Sequence, residues 1–267
     1  MDECLPIFTT DYSVGGQSIL TVDTLKNKDI SLKDDEPNSI LAIAETFDIK
    51  QTVLVENSFT GYWQAYKNFE SIGREFLFGW KIAVATDASL KDDASELTES
   101  NIIIFLKNSD SYYKIVKWAT KANCENSYKI PRLDWNDLAE LYDEEYFDIA
   151  VPFYSSFISR NLLKYEAICT PKWGKIKPIL LLQKQGLPFD ELLKEATIKY
   201  AKASKFETMN AHQCYYLREN DVEAWQTFRC IQNRSVLNKP EFPHQCSNLF
   251  AYESYLKEYE PEKLKLL

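Results

Sequence analysis

Seven short apolar runs recur down the chain, starting near residues 5, 52, 81, 102, 147, 178 and 206, and each gives way to a loop or an amphipathic helical pattern. Ile102-Ile103-Ile104-Phe105-Leu106 shows the constraint most plainly. Successive strand side chains point to opposite faces, so an unbroken apolar run needs cover on both. Strands of that kind, alternating with amphipathic helices, imply an α/β fold with a parallel sheet. Closing the sheet into a barrel buries both faces, although periodicity alone does not separate a barrel from an open doubly wound sheet.

Local signals place the helices. Asn38 or Ser39 can cap a helix whose apolar face is Ile40, Leu41, Ile43, Ala44 and Phe47, and Asp134 can cap one carrying Leu138, Leu141 and Tyr142. Trp63, Tyr66 and Phe69 fall on one side of a helix over 62–73, and a helix from Asp110 is expected to bury Tyr113, Ile115, Val116 and Trp118. The segments 26–36 and 87–100 read as charged loops. From Lys205 the pattern gives an extended run, Phe206 to Met209, then a polar turn. Asn220 and Asp221 then open a helix with an expected buried stripe of Val222, Trp225, Phe228 and Ile231.

The totals bound the function. The chain has 267 residues, a formal net charge of −9 and a pI near 5.0, which argues against strong direct nucleic-acid binding because phosphate neutralisation needs clustered Lys and Arg. Six cysteines lie far apart with no Cys-x-x-Cys pair, as expected of reduced thiols in a cytoplasmic protein. No apolar run is long enough to cross a bilayer. His212 and His244 are the only histidines, so a multi-His metal centre cannot be assembled. There is no phosphate loop, nucleophile elbow or His-Glu-x-x-His motif. With no repeat or Gly/Ser linker, the expectation is a single domain over 1–267 with a short C-terminal tail from about 256. Most of the six tryptophans, Trp63, Trp80, Trp118, Trp135, Trp173 and Trp225, fall on apolar helix or strand faces and read as core.

Several stretches together resemble one family. Ile7-Phe8-Thr9-Thr10-Asp11-Tyr12-Ser13 is similar to the His-x-His-Ser-Asp-Tyr-Ser opening of the PHP (polymerase and histidinol phosphatase) domain of bacterial C-family DNA polymerases. Gly79-Trp80-Lys81 resembles that family's Gly-x-Glu, Asn101 to Asn108 its His-Leu-Val-Leu-Leu-Ala-Lys-Asn strand, and Leu181 to Gly186 its Glu-x-Gln-x-His-Gly. Ala211 to Leu217 resembles Thr-Asn-Asp-x-His-Tyr-Leu, followed by a helix ending in Cys230-Ile231-Gln232.

The resemblance implies a distorted seven-stranded (β/α)7 PHP-like barrel. It also implies a site for divalent metals at the carboxyl ends of the strands, where the matching positions are Ile7, Thr9, Glu56, Asn57, Lys81, Asn101, Gln185, Gln213 and Tyr215. Glu56 alone is an anionic ligand type, and Lys81 places a cation where a bridging carboxylate belongs. A vestigial site with no metal, no cofactor and no catalytic residue is therefore expected. A rebuilt site would draw on Asp11, Glu56 and His212.

The function expected from the resemblance is a catalytically inactive PHP-like module of a DNA-replication complex, of the kind a compact viral genome would encode as a separate chain, partnered by a DNA polymerase core or a proofreading exonuclease subunit. The partner-binding face is expected at Glu223, Gln226, Arg229 and Gln232, opposite the buried stripe. The alternative is a metal-dependent phosphoesterase or 3′–5′ exonuclease with a rebuilt metal site.

Overall fold

The computed structural model describes residues 4–9, 39–164, 168–238 and 247–267. Among the described residues there are eight strands: β1 (Cys4–Phe8), β2 (Gln51–Glu56), β3 (Glu75–Ala85), β4 (Ser100–Leu106), β5 (Arg132–Asp134), β6 (Phe147–Val151), β7 (Ile179–Leu182) and β8 (Thr208–Cys214). They form one sheet in the order β2-β1-β8-β7-β6-β4-β3-β5, and an additional pairing of β2 with β3 closes seven of them into a ring. The fold is an α/β barrel of seven strands, with β5 hanging on β3 as an eighth.

The helices are α1 (Ile40–Thr46), α2 (Tyr62–Ser71), α3 (Asp93–Leu97), α4 (Ser109–Cys124), α5 (Trp135–Leu141), α6 (Phe157–Lys164), α7 (Asp190–Ser204), α8 (Val222–Asn233) and α9 (Tyr252–Tyr259). Ser39 caps α1 by accepting from the Ala42 amide at 3.1 Å. Asp134 caps α5 by accepting from the Asn136 and Asp137 amides, both at 2.9 Å. Both are ordinary N-caps that satisfy donors the first helical turn leaves over.

The chain divides into two compact units. The first comprises Met1–Phe78, Gln183–Asp190 and Asn210–Leu267. In it β1 pairs in parallel with β2 (Ile7 beside Val53, Phe8 beside Leu54) and with β8 (Cys4 beside Asn210, Phe8 beside Cys214). Ile7, Phe8, Ile43, Phe47, Val53, Phe69, Phe250 and Leu256 are buried there, and the Tyr252 ring packs 5.4 Å from Phe8 and 5.2 Å from Phe47.

The second unit comprises Gly79–Leu182 and Glu191–Met209. In it β5 is parallel to β3, β6 is parallel to β7, and β4 is antiparallel to β6 (Ile103 beside Ala150, Leu106 beside Phe147). A Cβ at Gly79 would stand 2.7 Å from Ile103 Cγ2 and 2.8 Å from a Phe105 ring carbon, so a bare backbone lets β3 and β4 approach there. Arg132, wholly buried, is held by an ion pair to Glu99 at 3.0 Å, by Ser95 Oγ at 3.1 Å and by the carbonyls of Asn126 and Leu90.

Several expectations are corrected. The sheet is not wholly parallel, because an apolar strand buried on both faces reads the same in either direction. β5 was missed, being three residues long, and the acidic segment 87–100 contains α3, capped by Asp92. The last strand begins at Thr208 and runs through Cys214, past the expected end at Met209. On α4 the buried stripe is Ser111, Ile115, Trp118 and Ala122, spaced by four, three and four residues, while Tyr113 is 67% exposed and Val116 also faces outward. Trp63 is exposed, and Tyr62, Ala65 and Phe69 form the inner face of α2. The residues expected as a tail from about 256 include the buried Leu256 of α9 and a 3-10 helix over Pro261–Leu266. The expected loop over 26–36 lies outside the described residues.

Candidate functional site

β8 and the segment after β7 bring three of the matching positions together in the first unit. Gln185 is wholly buried. Its side-chain Nε2 donates to the Gln213 carbonyl oxygen at 2.7 Å and, less closely, to the Leu249 carbonyl at 3.3 Å, while its Oε1 accepts from the Gln213 amide at 3.3 Å. Gln213 in turn donates its own Nε2 to the Ile7 carbonyl at 3.2 Å. One chain of neutral amides thus links positions 185, 213 and 7. The Gln185 side chain serves the Gln213 peptide as a neighbouring strand would, meeting both its donor and its acceptor.

The backbone around Gln185 is fixed with equal care. The buried Asp190 carboxylate accepts from the Gln185 amide at 2.9 Å and the Leu187 amide at 3.1 Å, making a tight turn ahead of α7. Gly186 at the apex has φ +78, and a Cβ there would stand 3.0 Å from Leu249 Cδ1 and 3.1 Å from Ser247 Oγ. The Ser247 hydroxyl donates to the Gln185 carbonyl, and the Tyr216 hydroxyl donates to the Ser247 carbonyl at 2.6 Å. The Tyr215 amide donates to the Phe250 carbonyl, and the Tyr252 amide to the Tyr216 carbonyl, each at 2.9 Å. The segment from Ser247 to Tyr252 is therefore sewn against the end of β8.

Tyr215 completes the arrangement with its ring. It stacks on Trp225 of α8, centroids 4.0 Å apart and planes 18° apart, and on Phe250 at 5.1 Å and 25°. A half-buried ring held between two aromatic faces is a packing element. The position that the resemblance assigns to a ligating His has become part of an aromatic sandwich.

His212, named for a rebuilt site, is 3% exposed, and its Nε2 lies 3.2 Å from the Ala251 carbonyl, which makes that nitrogen the protonated one. Burial pulls its pKa from 6.5 down to about 4, against weaker opposing pulls from the Ala251 and Leu249 carbonyls. It is a neutral imidazole bonded to backbone. Cys214 is wholly buried, its thiol donates to the His212 carbonyl at 3.7 Å, and burial raises its pKa well above the usual value, so it is no nucleophile.

The remaining positions do not join this group in the same way. Thr9 is buried, Glu56 is buried at the end of β2, and Asn57 after it is exposed. Lys81 and Asn101 are half-buried on β3 and β4 in the second unit. Asp11 lies outside the described residues, as does His244. Among the described residues no group of three or more His, Cys, Asp or Glu side chains is placed to hold a metal ion, and no helix is long and apolar enough to cross a membrane.

No family model and no curated protein matches this chain. Among solved structures, one described as a "putative metal-dependent phosphoesterase" from Bifidobacterium adolescentis superposes with a TM-score of 0.42 and 9% identity, over 79% of this chain and 88% of that one.

The expected partner face on α8 is rearranged. Trp225 and Cys230 are buried, and Val222, Gln226, Phe228 and Arg229 are half-buried, with the Arg229 guanidinium 5.9 Å from the Trp225 ring centre. Glu223 is exposed as expected, but Ile231, expected in the buried stripe, is 69% exposed. Steps of three residues fall about 60° short of a full rotation each time, so the stripe holds through Val222, Trp225 and Phe228 and leaves the inner face at Ile231. Spacings of three and four from Val222 give 225, 226, 229 and 230 instead. Gln232 falls in α8, with its side chain outside the described residues. Sequence reasoning also missed Ser247 and Leu249, since nothing in their local pattern marks two loop residues as partners of Gln185.

Proposed function

We propose that this chain is a PHP-like domain without catalytic activity, used as a structural or protein-binding module of a DNA-replication complex. One observation carries the reading: Gln185, Gln213 and the Ile7 carbonyl, at positions matched to metal ligands, are joined by amide hydrogen bonds. An amide is a weak ligand for the divalent ions such sites use, and here Gln185 commits both its Nε2 and its Oε1 to backbone while Gln213 gives its Nε2 to the Ile7 carbonyl. Tyr215, held between Trp225 and Phe250, adds packing where a ligand would stand. What persists is a frame, and a frame suits docking.

The partner class rests on the resemblance to C-family polymerase domains, which points to a polymerase core or a proofreading exonuclease subunit. The net charge of −9 favours a protein surface over nucleic acid as the thing bound. Two assays on the whole chain test the reading. Immobilised protein should capture a purified C-family polymerase core or its exonuclease subunit, and Glu223→Lys on the exposed side of α8 should weaken capture without lowering the melting temperature. The protein should release no product from a model phosphodiester or single-stranded DNA with added manganese or zinc. Turnover that disappears in Glu56→Ala would replace this reading with a phosphoesterase rebuilt around that buried carboxylate.

A further inference from the structure

A cavity of about 680 Å³ opens in the first unit beside the starts of β1 and β2, toward the opposite end of β1 from Ile7 and the Gln185 network. That is within the usual size for a small-molecule site. Leu5, Pro6 and Ile49 give it aliphatic wall, and Tyr252, Tyr255 and Tyr259 give it aromatic wall. The three tyrosines follow at i, i+3 and i+7 on α9. Tyr252 and Tyr255 stack at 5.5 Å and 14°, and Tyr259 continues the series 5.3 Å from Tyr255, half-buried and facing the space.

The charges sort themselves. Burial raises the Tyr255 and Tyr259 phenols and pushes the Cys4 thiol up to about 11, so the wall is neutral near pH 7. Of the rim charges, Asp48 is paired with Arg74 at 2.5 Å, and its carboxyl is held below the usual range chiefly by that guanidinium. Lys263 is paired with Glu260 at 2.8 Å. Lys50, which also lines the cavity and is exposed, has no ion-pair partner among the described residues. Its backbone carbonyl accepts from the Glu75 amide at 2.9 Å, which anchors its stem beside the opening.

The geometry points to a binding site for a small planar aromatic carboxylate, its ring laid on the half-buried Tyr259, which Tyr255 backs from the core side, and its anionic group at Lys50. A single ammonium suits one negative charge better than the two of a phosphate monoester, and a flat tyrosine face rewards a ring over an alkyl chain. The site is independent of the proposed replication role, since it uses neither the Gln185 network nor α8.

Isothermal titration of the whole protein with indole-3-carboxylate, against indole, hexanoate and benzyl phosphate, tests it. Indole-3-carboxylate should bind and the other three should bind more weakly. Lys50→Met, an exposed change, should weaken indole-3-carboxylate about tenfold while leaving the melting temperature unchanged. Tyr259→Leu should abolish the preference for the aromatic acid over hexanoate. Equal binding of indole, no heat at millimolar carboxylate, or an affinity indifferent to Lys50→Met would each overturn the assignment. Tighter binding of benzyl phosphate would overturn the carboxylate as the class.

Discussion

Gln185 holds the Gln213 peptide at both ends, giving an N–H to its carbonyl at 2.7 Å and taking one from its amide at 3.3 Å. Because Gln185 is wholly buried, its loss cannot be made good by water. Gln185→Leu keeps the bulk and removes both partners, and each group so orphaned costs about 1–3 kcal/mol. Urea unfolding should show a loss at the upper end of that range or beyond it, at unchanged m-value. A loss under about 0.5 kcal/mol, the size of an ordinary surface change, would mean the network does not hold this part of the fold.

Gly186 should tolerate no side chain. At φ +78 an L-residue is strained by about 1–2 kcal/mol, and its Cβ would press on Leu249 and Ser247 at 3.0 and 3.1 Å. Gly186→Ala should therefore lower stability by more than the strain alone, and the excess should shrink in Gly186→Ala with Leu249→Ala, because the second change removes the nearer contact.

His212 gives a pH signature. Its folded pKa, about 4, lies below the unfolded value of 6.5, so between those values the unfolded chain binds more protons and stability falls as pH falls. The contribution is fully present above 6.5 and is lost progressively on the way down to about 4. Its size is on the order of 3 kcal/mol for a shift of this extent. Carboxylates titrate in the lower part of the same range, so the diagnostic is the difference between proteins: His212→Asn should flatten the stability profile between pH 6.5 and 5.

The pair of Arg132 and Glu99 should be the most sensitive point of the second unit. Burial raises the Glu99 pKa, opposed by its hydrogen bond from Arg132, and both side chains are almost wholly enclosed. Arg132→Met leaves a buried carboxylate unpaired and should cost about 3–5 kcal/mol by chemical denaturation. Adding Glu99→Leu should recover part of that loss.

How far the residues announce these features varies in an instructive way. The strands were readable because runs such as Ile102 to Leu106 have few alternatives, and the caps Ser39 and Asp134 because their side chains act within three residues. Strand direction was not readable: the antiparallel pairing of β4 with β6 depends on partners remote in sequence. The same holds at the site. Gln185, Gln213 and Tyr215 could be singled out by a resemblance alone, whereas the bonds and ring contacts that tie them to Ile7, Leu249 and Phe250 span up to 206 positions. The expected stripe of α8 fails at Ile231 because three-residue steps were followed without the alternating fours that keep a stripe on one side.

The central claim is that an amide network stands where a metal centre would be built, and metal content measures it most directly. The purified chain, incubated with zinc and manganese and then desalted, should retain neither ion in stoichiometric amount by mass spectrometric elemental analysis. Retention of one or more equivalents per chain, lost in Glu56→Ala, would contradict the account.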